Sequence, residues 1–371
     1  MQLGYFLTKV LRAFKRITTY LLSTFWVIRY LPENFQQHLV DFKAFYGAAK
    51  KLLLGVTPYG LYQTAVGASS FQSPIWLSWL FIPLTLFNTE QAFLIFEILN
   101  LLLYLVILII IFKWHSTKIS FLDFFFFWGC SLVLSFLTQQ FGRVTIIQLA
   151  AIVAMIYTLN NDKPIIAGML FPLVLIKPHL VVFFCFVALK RGGRKMLLAG
   201  IGSLVIFVLI GEVIEKYWIL DMIKTIIGGQ QSSEMEWYKF MTLAGLFSKP
   251  LSVGILIWLI TLPFLIFLDY RFRSLPNITW LPVALALSLA TAPYAFAYDL
   301  PLLLPSLVWL CLPLSTMTIL IAFVVTLIPM LVGFSGISYI SVLIVTLLSI
   351  YRLFLLREEN HFKFYGTDSD N

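Results

Sequence analysis

The chain has 371 residues, of which 60% are hydrophobic and 12% charged, with a net charge of +9 and a mean hydropathy of +0.94. Soluble domains carry about 25% charged residues, so this composition excludes a soluble globular protein and indicates a polytopic membrane protein. Basic residues cluster in short loops. The positive charge is therefore read as membrane orientation, not nucleic-acid binding.

The apolar runs do not alternate with period two, so the spans are helices and not barrel strands. Lys9, Arg12, Lys15 and Arg16 precede the first apolar stretch, and no small-residue cleavage site follows. That pattern predicts a retained signal anchor. At about 20 apolar residues per span, helices are expected near 12–31, 74–88, 91–112, 119–137, 143–159, 164–189, 195–214, 250–268, 278–292, 299–313, 315–334 and 337–356. About twelve spans put Lys190, Arg191, Arg194 and Lys195 on the cytoplasmic side, with Arg271, Arg273, Arg352 and Arg357 and both termini. Lys113, Lys118 and Lys163 then fall outside, and a break at Lys177-Pro178 would bring them in. The expected organisation is one membrane domain over 1–356 and a short polar cytoplasmic tail over 357–371, expected to be disordered. Two long outer loops follow, 32–73 and 215–249.

The first outer loop opens with Asp41. Phe42, Phe45, Tyr46, Ala49, Leu52 and Leu53 then recur at helical spacing, with Lys43, Lys50 and Lys51 facing elsewhere. This predicts an amphipathic helix lying on the membrane surface, closed by Gly55 and a turn at Thr57-Pro58-Tyr59. Asp41 has two readings: a helix cap, or a general base held just above the hydrocarbon.

Charges inside spans are costly and are candidate site residues. Glu97 and Asn100 share one face of a span and suit either interhelical contact or a cavity. Arg143 could snorkel to the interface or bind phosphate. Lys177-Pro178-His179 interrupts an apolar run. The proline removes a backbone donor, and a cation beside broken helix suits an anion. Tyr294 to Asp299 lies between Pro293 and Pro301. Asp299 is either a cap for the next helix or, with Tyr294 and Tyr298, part of the cavity that holds Asp41.

Cys130, Cys185 and Cys311 lie inside apolar runs without ligand spacing, which suits small buried hydrophobes. No phosphate-binding loop, nucleophile elbow, zinc-protease or dinucleotide motif is present, and no compact carboxylate cluster suggests a metal. The residues alone leave an enzyme, a transporter or flippase for a lipid-linked or anionic substrate, and a noncatalytic scaffold open.

Several stretches, taken in order, resemble glycosyltransferase family 87, the polyprenyl-phosphate-sugar-dependent mannosyltransferases with the GT-C fold. They are D-F-K-A-F-Y-G-A-A-K-K-L-L-L-G-V-T-P-Y from Asp41 to Tyr59, Ser73-Pro74, F-G-R-V-T-I-I-Q-L from Phe141 to Leu149, the run from Ala167 to Lys177-Pro178-His179, and A-P-Y-A-F-A-Y-D-L-P-L-L-L-P from Ala292 to Pro305. The resemblance covers about residues 40–305. The family commonly has Gly-Gln where this chain has Gly142-Arg143, and often histidine in the late outer motif.

The resemblance implies an all-α GT-C-type bundle in the plasma membrane that transfers a hexose, mannose by analogy, with inversion on the extracytoplasmic face. The donor is a polyprenyl-phosphate sugar and the acceptor a lipid or glycan. No further cofactor, metal or nucleic-acid partner is expected. Asp41 takes the place of the catalytic base, and Lys177, Arg143 and His179 are the candidate ligands of the donor phosphate. Tyr46, Tyr59, Tyr294, Tyr298 and Asp299 are the candidate cavity residues.

Overall fold

A computed structural model describes residues 40–64, 67–114, 142–231, 250–311 and 339–365, with isolated positions elsewhere. The expected spans at 12–31 and 315–334, and most of that at 119–137, lie outside these segments. The chain divides into two compact units, Met1–Pro178 with Gly192–Glu236, and His179–Arg191 with Trp237–Asn371.

In the first unit, α1 (Val40–Leu53) leads into an antiparallel hairpin of β1 (Leu61–Thr64) and β2 (Gly67–Ser70), in which Leu61 faces Ser70 and Thr64 faces Gly67. There follow α2 (Ile75–Trp79), a 3-10 turn Ile82–Leu86, and the long α3 (Thr89–Trp114). Next come α4 (Thr145–Asn160) and two short helices, α5 (Pro164–Met169) and α6 (Phe171–Val174), which both pack on α4.

A 3-10 turn, Pro178–Leu180, precedes α7 (Val182–Ile214). Helix α7 is broken at Gly193, where φ is +64°. Only glycine adopts that conformation cheaply, and the boundary between the two units falls one residue before it. Helix α8 (Trp218–Gln231) occupies part of the second expected outer loop.

The second unit contains α9 (Pro250–Arg271), α10 (Asn277–Thr291), a 3-10 turn Ala297–Leu303, α11 (Leu304–Cys311) and α12 (Tyr339–Tyr365). Helix α10 packs on α12 and α11. The described residues from Trp280 to Thr291 are all buried, as a helix enclosed by other apolar helices should be.

Among the described residues, four helices are long and apolar enough to cross a membrane: α3, α7, Ser252–Arg271 of α9 and Tyr339–Leu356 of α12. Thr145–Asn160, Asn277–Thr291 and Tyr298–Cys311 are shorter apolar helices. The chain is a multi-pass, helical membrane protein.

Three expectations are corrected. Residues 74–88 do not form a span. Pro74 and Pro83 confine them to a five-residue helix and a five-residue 3-10 turn. At about 1.5–2 Å per residue such pieces cannot cross roughly 30 Å of hydrocarbon. The run 164–189 is not one helix either, but breaks at Leu170 and again at Lys177-Pro178. Finally, 357–365 continues α12 as helix to Tyr365, since nothing between Arg357 and Tyr365 is proline or glycine.

Candidate active site

Helix α1 is amphipathic as its sequence predicts, but its apolar face is turned to protein and not to lipid. Phe42, Phe45, Tyr46, Ala48 and Ala49 belong to a core with Phe71, Ile75, Trp76, Phe81, Phe93 and Phe96. Phe42 is fully buried. Its ring lies 5.3 Å from that of Phe93, 5.5 Å from Phe96, 5.7 Å from Tyr46 and 5.9 Å from Phe81. Burying that many rings is worth several kcal/mol and fixes the first turn of α1. Asp41 sits in that turn and is 7% exposed.

The Asp41 carboxylate pairs with the Arg143 guanidinium through Oδ2 and Nε. Gly142 makes this pairing possible. Its φ is +64°, and a Cβ there would stand 2.6 Å from Phe42 Cβ and 3.1 Å from Phe93 Cε2. The Gly142-Arg143 turn is therefore docked directly on Asp41-Phe42.

Two residues after Arg143, α4 begins at Thr145, and Val144 at its N-cap supplies no side-chain bond. Lys177 Nζ donates to Thr145 Oγ1 at 3.4 Å. The Lys177 backbone is held by Gln148, a fully buried residue three positions after Thr145 in α4. Pro178 has no N–H to give the carbonyl of Val174, four residues earlier. The Gln148 Nε2 supplies the missing donor at 2.8 Å and also reaches the Lys177 carbonyl at 3.3 Å. The break that frees Lys177 from helix is thus tied to the same helix end that holds Arg143. A helix N-terminus carries about half a positive charge. Arg143 and Lys177 bring two positive charges to it and Asp41 one negative.

Tyr46 and Tyr59 are core residues. Tyr46 donates its hydroxyl to Phe87 O at 2.6 Å, and Tyr59 donates to Ser73 O at 3.2 Å. Burial, with Asp221 and Glu215 adding to it, pushes the Tyr59 phenol well above the usual tyrosine value. Tyr46 pins the middle of α1 to Phe87, and Tyr59 pins the turn that follows the helix to Ser73.

His179, Tyr294, Tyr298 and Asp299 belong to the second unit. The His179 ring stacks on Tyr294, with centroids 4.0 Å apart and planes at 29°. Tyr298 stacks on Phe296 at 5.0 Å and 21°. Asp299 is buried and takes the capping role: its Oδ2 accepts the Phe296 N–H at 3.1 Å, while its own N–H donates to Phe296 O at 2.8 Å. Burial, and then the Asp299 carboxylate, raise the Tyr294 phenol.

One charged cluster was not singled out from sequence. Asp269, near the end of α9, is 3% exposed. It pairs with Lys190 at 2.6 Å and Arg191 at 3.5 Å, and accepts the Trp280 indole N–H at 2.9 Å. Arg191 also donates to Phe272 O at 3.0 Å and Leu275 O at 2.7 Å, capping the end of α9. A lone acid closing an apolar run opposite a basic loop was the available signal.

These features define a membrane protein in which a carboxylate and two cations meet at one helix end inside a helical unit. A sequence profile of glycosyltransferase family 87 matches residues 71–290, more than half of the chain. The chain belongs to glycosyltransferase family 87 and is a membrane glycosyltransferase. The matched region contains Arg143, Lys177 and His179. It leaves Asp41, Tyr46, Tyr59, Tyr294, Tyr298 and Asp299 outside. Neither the curated proteins nor the solved structures provide a match.

Proposed function

We propose that the chain transfers a hexose, with mannose the first sugar to test, from a polyprenyl-phosphate carrier to a lipid or glycan acceptor. The transfer takes place on the extracytoplasmic face of the plasma membrane and inverts the anomeric centre. The observation that carries this proposal is the meeting of Asp41, Arg143 and Lys177 at the N-terminus of α4.

In this scheme Asp41 takes the proton of the acceptor hydroxyl as its oxygen attacks the anomeric carbon. The bond from that carbon to the phosphate oxygen breaks, and its electron pair leaves with the phosphate. The phosphodiester donor becomes a phosphomonoester with one more negative charge, so no acid is needed to protonate it. Lys177 and Arg143, at the positive end of α4, stabilise that charge. A polyprenyl-phosphate sugar brings its own energy in the sugar–phosphate bond, so no nucleotide site is required. We further propose that His179 contacts the donor phosphate and that Tyr294 and Tyr298 contact the sugar, aromatic rings being surfaces on which a sugar packs.

The test is incubation of membranes containing the protein with a labelled polyprenyl-phosphate hexose or with the same sugar on a nucleotide. Label should enter an acceptor from the lipid donor alone. Transfer from the nucleotide sugar at an equal rate would refute the assignment of the donor.

A further inference from the structure

We infer that Arg143 is a charge-following switch: it holds Asp41 before the reaction and passes to the lipid phosphate as the sugar leaves. The inference rests on the donor proposed above and deepens it.

Arg143 pairs with Asp41, the residue proposed to receive the acceptor proton. Its backbone lies two residues before Thr145, so at most about 7 Å of chain separates it from the hydroxyl that Lys177 contacts. The guanidinium has five donors and binds carboxylate and phosphate equally well in geometry. It therefore lies between Asp41 and the place proposed for the phosphate beside Lys177, the two places where charge changes in the transfer.

The charge balance then decides what it does. Before transfer, the Asp41 carboxylate and the phosphodiester each carry one negative charge. When the acceptor proton passes to Asp41, that carboxylate becomes a neutral acid and loses its hold on Arg143. In the same step the departing phosphate gains its second charge. The total is unchanged, but the negative charge has moved from one side of Arg143 to the other. A cation that follows it stabilises the transferred state more than the starting state, which is the condition for accelerating the step. A guanidinium locked on Asp41 throughout would oppose it. The docking of Gly142 on Phe42 fixes the backbone beside Arg143, so in this proposal the movement belongs to the side chain.

The test is binding, not turnover, and uses the full-length protein in lipid nanodiscs with polyprenyl phosphate as the probe. Asp41→Asn removes the carboxylate that pairs with Arg143 without removing the cation. This variant should bind polyprenyl phosphate about fivefold or more tighter than the wild type, the size expected for freeing a partly exposed pair. Adding Arg143→Gln should abolish that gain. Equal or weaker binding by Asp41→Asn overturns the switch.

A second comparison does not depend on the Asp41 variant. Arg143→Gln alone should weaken the phosphomonoester product by about tenfold or more, the scale of a charge-assisted bond, and the diester donor by much less. Equal losses for both ligands would show that Arg143 merely braces Asp41, and the switch would fall. Arg143→Lys keeps the charge and should restore part of the product affinity. If the wild type binds neither lipid phosphate, the proposed donor fails and takes the switch with it; if the wild type binds and the variants show no selectivity, only the switch fails.

Discussion

Replacing Gly142 with alanine tests whether the two sequence motifs are truly docked on one another. Gly142 has φ +64° and Gly55, just beyond α1, has φ +66°. Alanine at either position must adopt a left-handed backbone, at about 1–2 kcal/mol. At Gly55 that is the whole cost, since no atom lies within 4 Å of the added Cβ. At Gly142 the methyl would stand 2.6 Å from Phe42 Cβ and 3.3 Å from Phe42 Cα. Neither atom can swing aside, because the Phe42 ring is enclosed by four others. Overpacking of this kind adds about 1–3 kcal/mol, so the total is about 2–5 kcal/mol. Relief requires the turn to lift from α1, carrying Arg143 away from Asp41. A displacement near 1 Å at reacting groups costs about 100-fold in rate. The assay is thermal unfolding of both variants in detergent, paired with transfer rates. Gly142→Ala should be clearly less stable than Gly55→Ala and should lose most activity, while Gly55→Ala keeps it. Equal unfolding temperatures and equal rates for the two variants would refute the docking of Gly142 on Phe42.

Two further predictions address the supporting structure. Asp269→Asn leaves Lys190 and Arg191 without their buried acid. Removing one partner of such a cluster costs about 3 kcal/mol, the low end of the usual range because Lys190 is half exposed. Thermal unfolding should show a large drop; a change no greater than that of Asp221→Asn, an exposed pair with Lys224, would contradict the role given to Asp269. Tyr59→Phe should alter the alkaline stability profile. The folded state holds the Tyr59 proton more tightly than the unfolded chain, whose phenol titrates near 10.0. That stabilisation is complete below pH 10 and is lost as pH rises towards the elevated folded value. Above pH 10 the wild type should therefore lose stability more steeply than Tyr59→Phe, and parallel losses in denaturant titrations would contradict this.

How much of this was legible in the sequence depends on the distance over which each contact acts. The helix of Asp41–Leu53 was readable from the spacing of Phe42, Phe45, Tyr46 and Ala49. Which solvent its apolar face meets was not, because hydropathy reads a lipid-facing and a protein-facing phenylalanine alike. The answer lay with Phe81 and the adjoining segment, whose apolar composition resembled a span although two prolines break it. The Lys177-Pro178 break was readable because proline carries its consequence locally. The repair of that break by Gln148 was not, since the orphaned Val174 carbonyl and its donor are 26 residues apart. The same holds for Asp41 and Arg143. Asp41 was visible as a cap or a base and Arg143 as a charge at the end of a span, but nothing in the linear chain says that one answers the other. Asp299 was readable either way, and the Phe296 N–H shows the capping role.

The measurement that bears most directly on the account is transfer by Asp41→Asn from a labelled polyprenyl-phosphate hexose. Asparagine is as good as aspartate at the start of a helix, and it occupies the same volume, so the variant should stay folded by thermal unfolding. The account predicts transfer at least about 100-fold slower than the wild type, the usual worth of a general base. A folded Asp41→Asn protein that transfers sugar at the wild-type rate would contradict it.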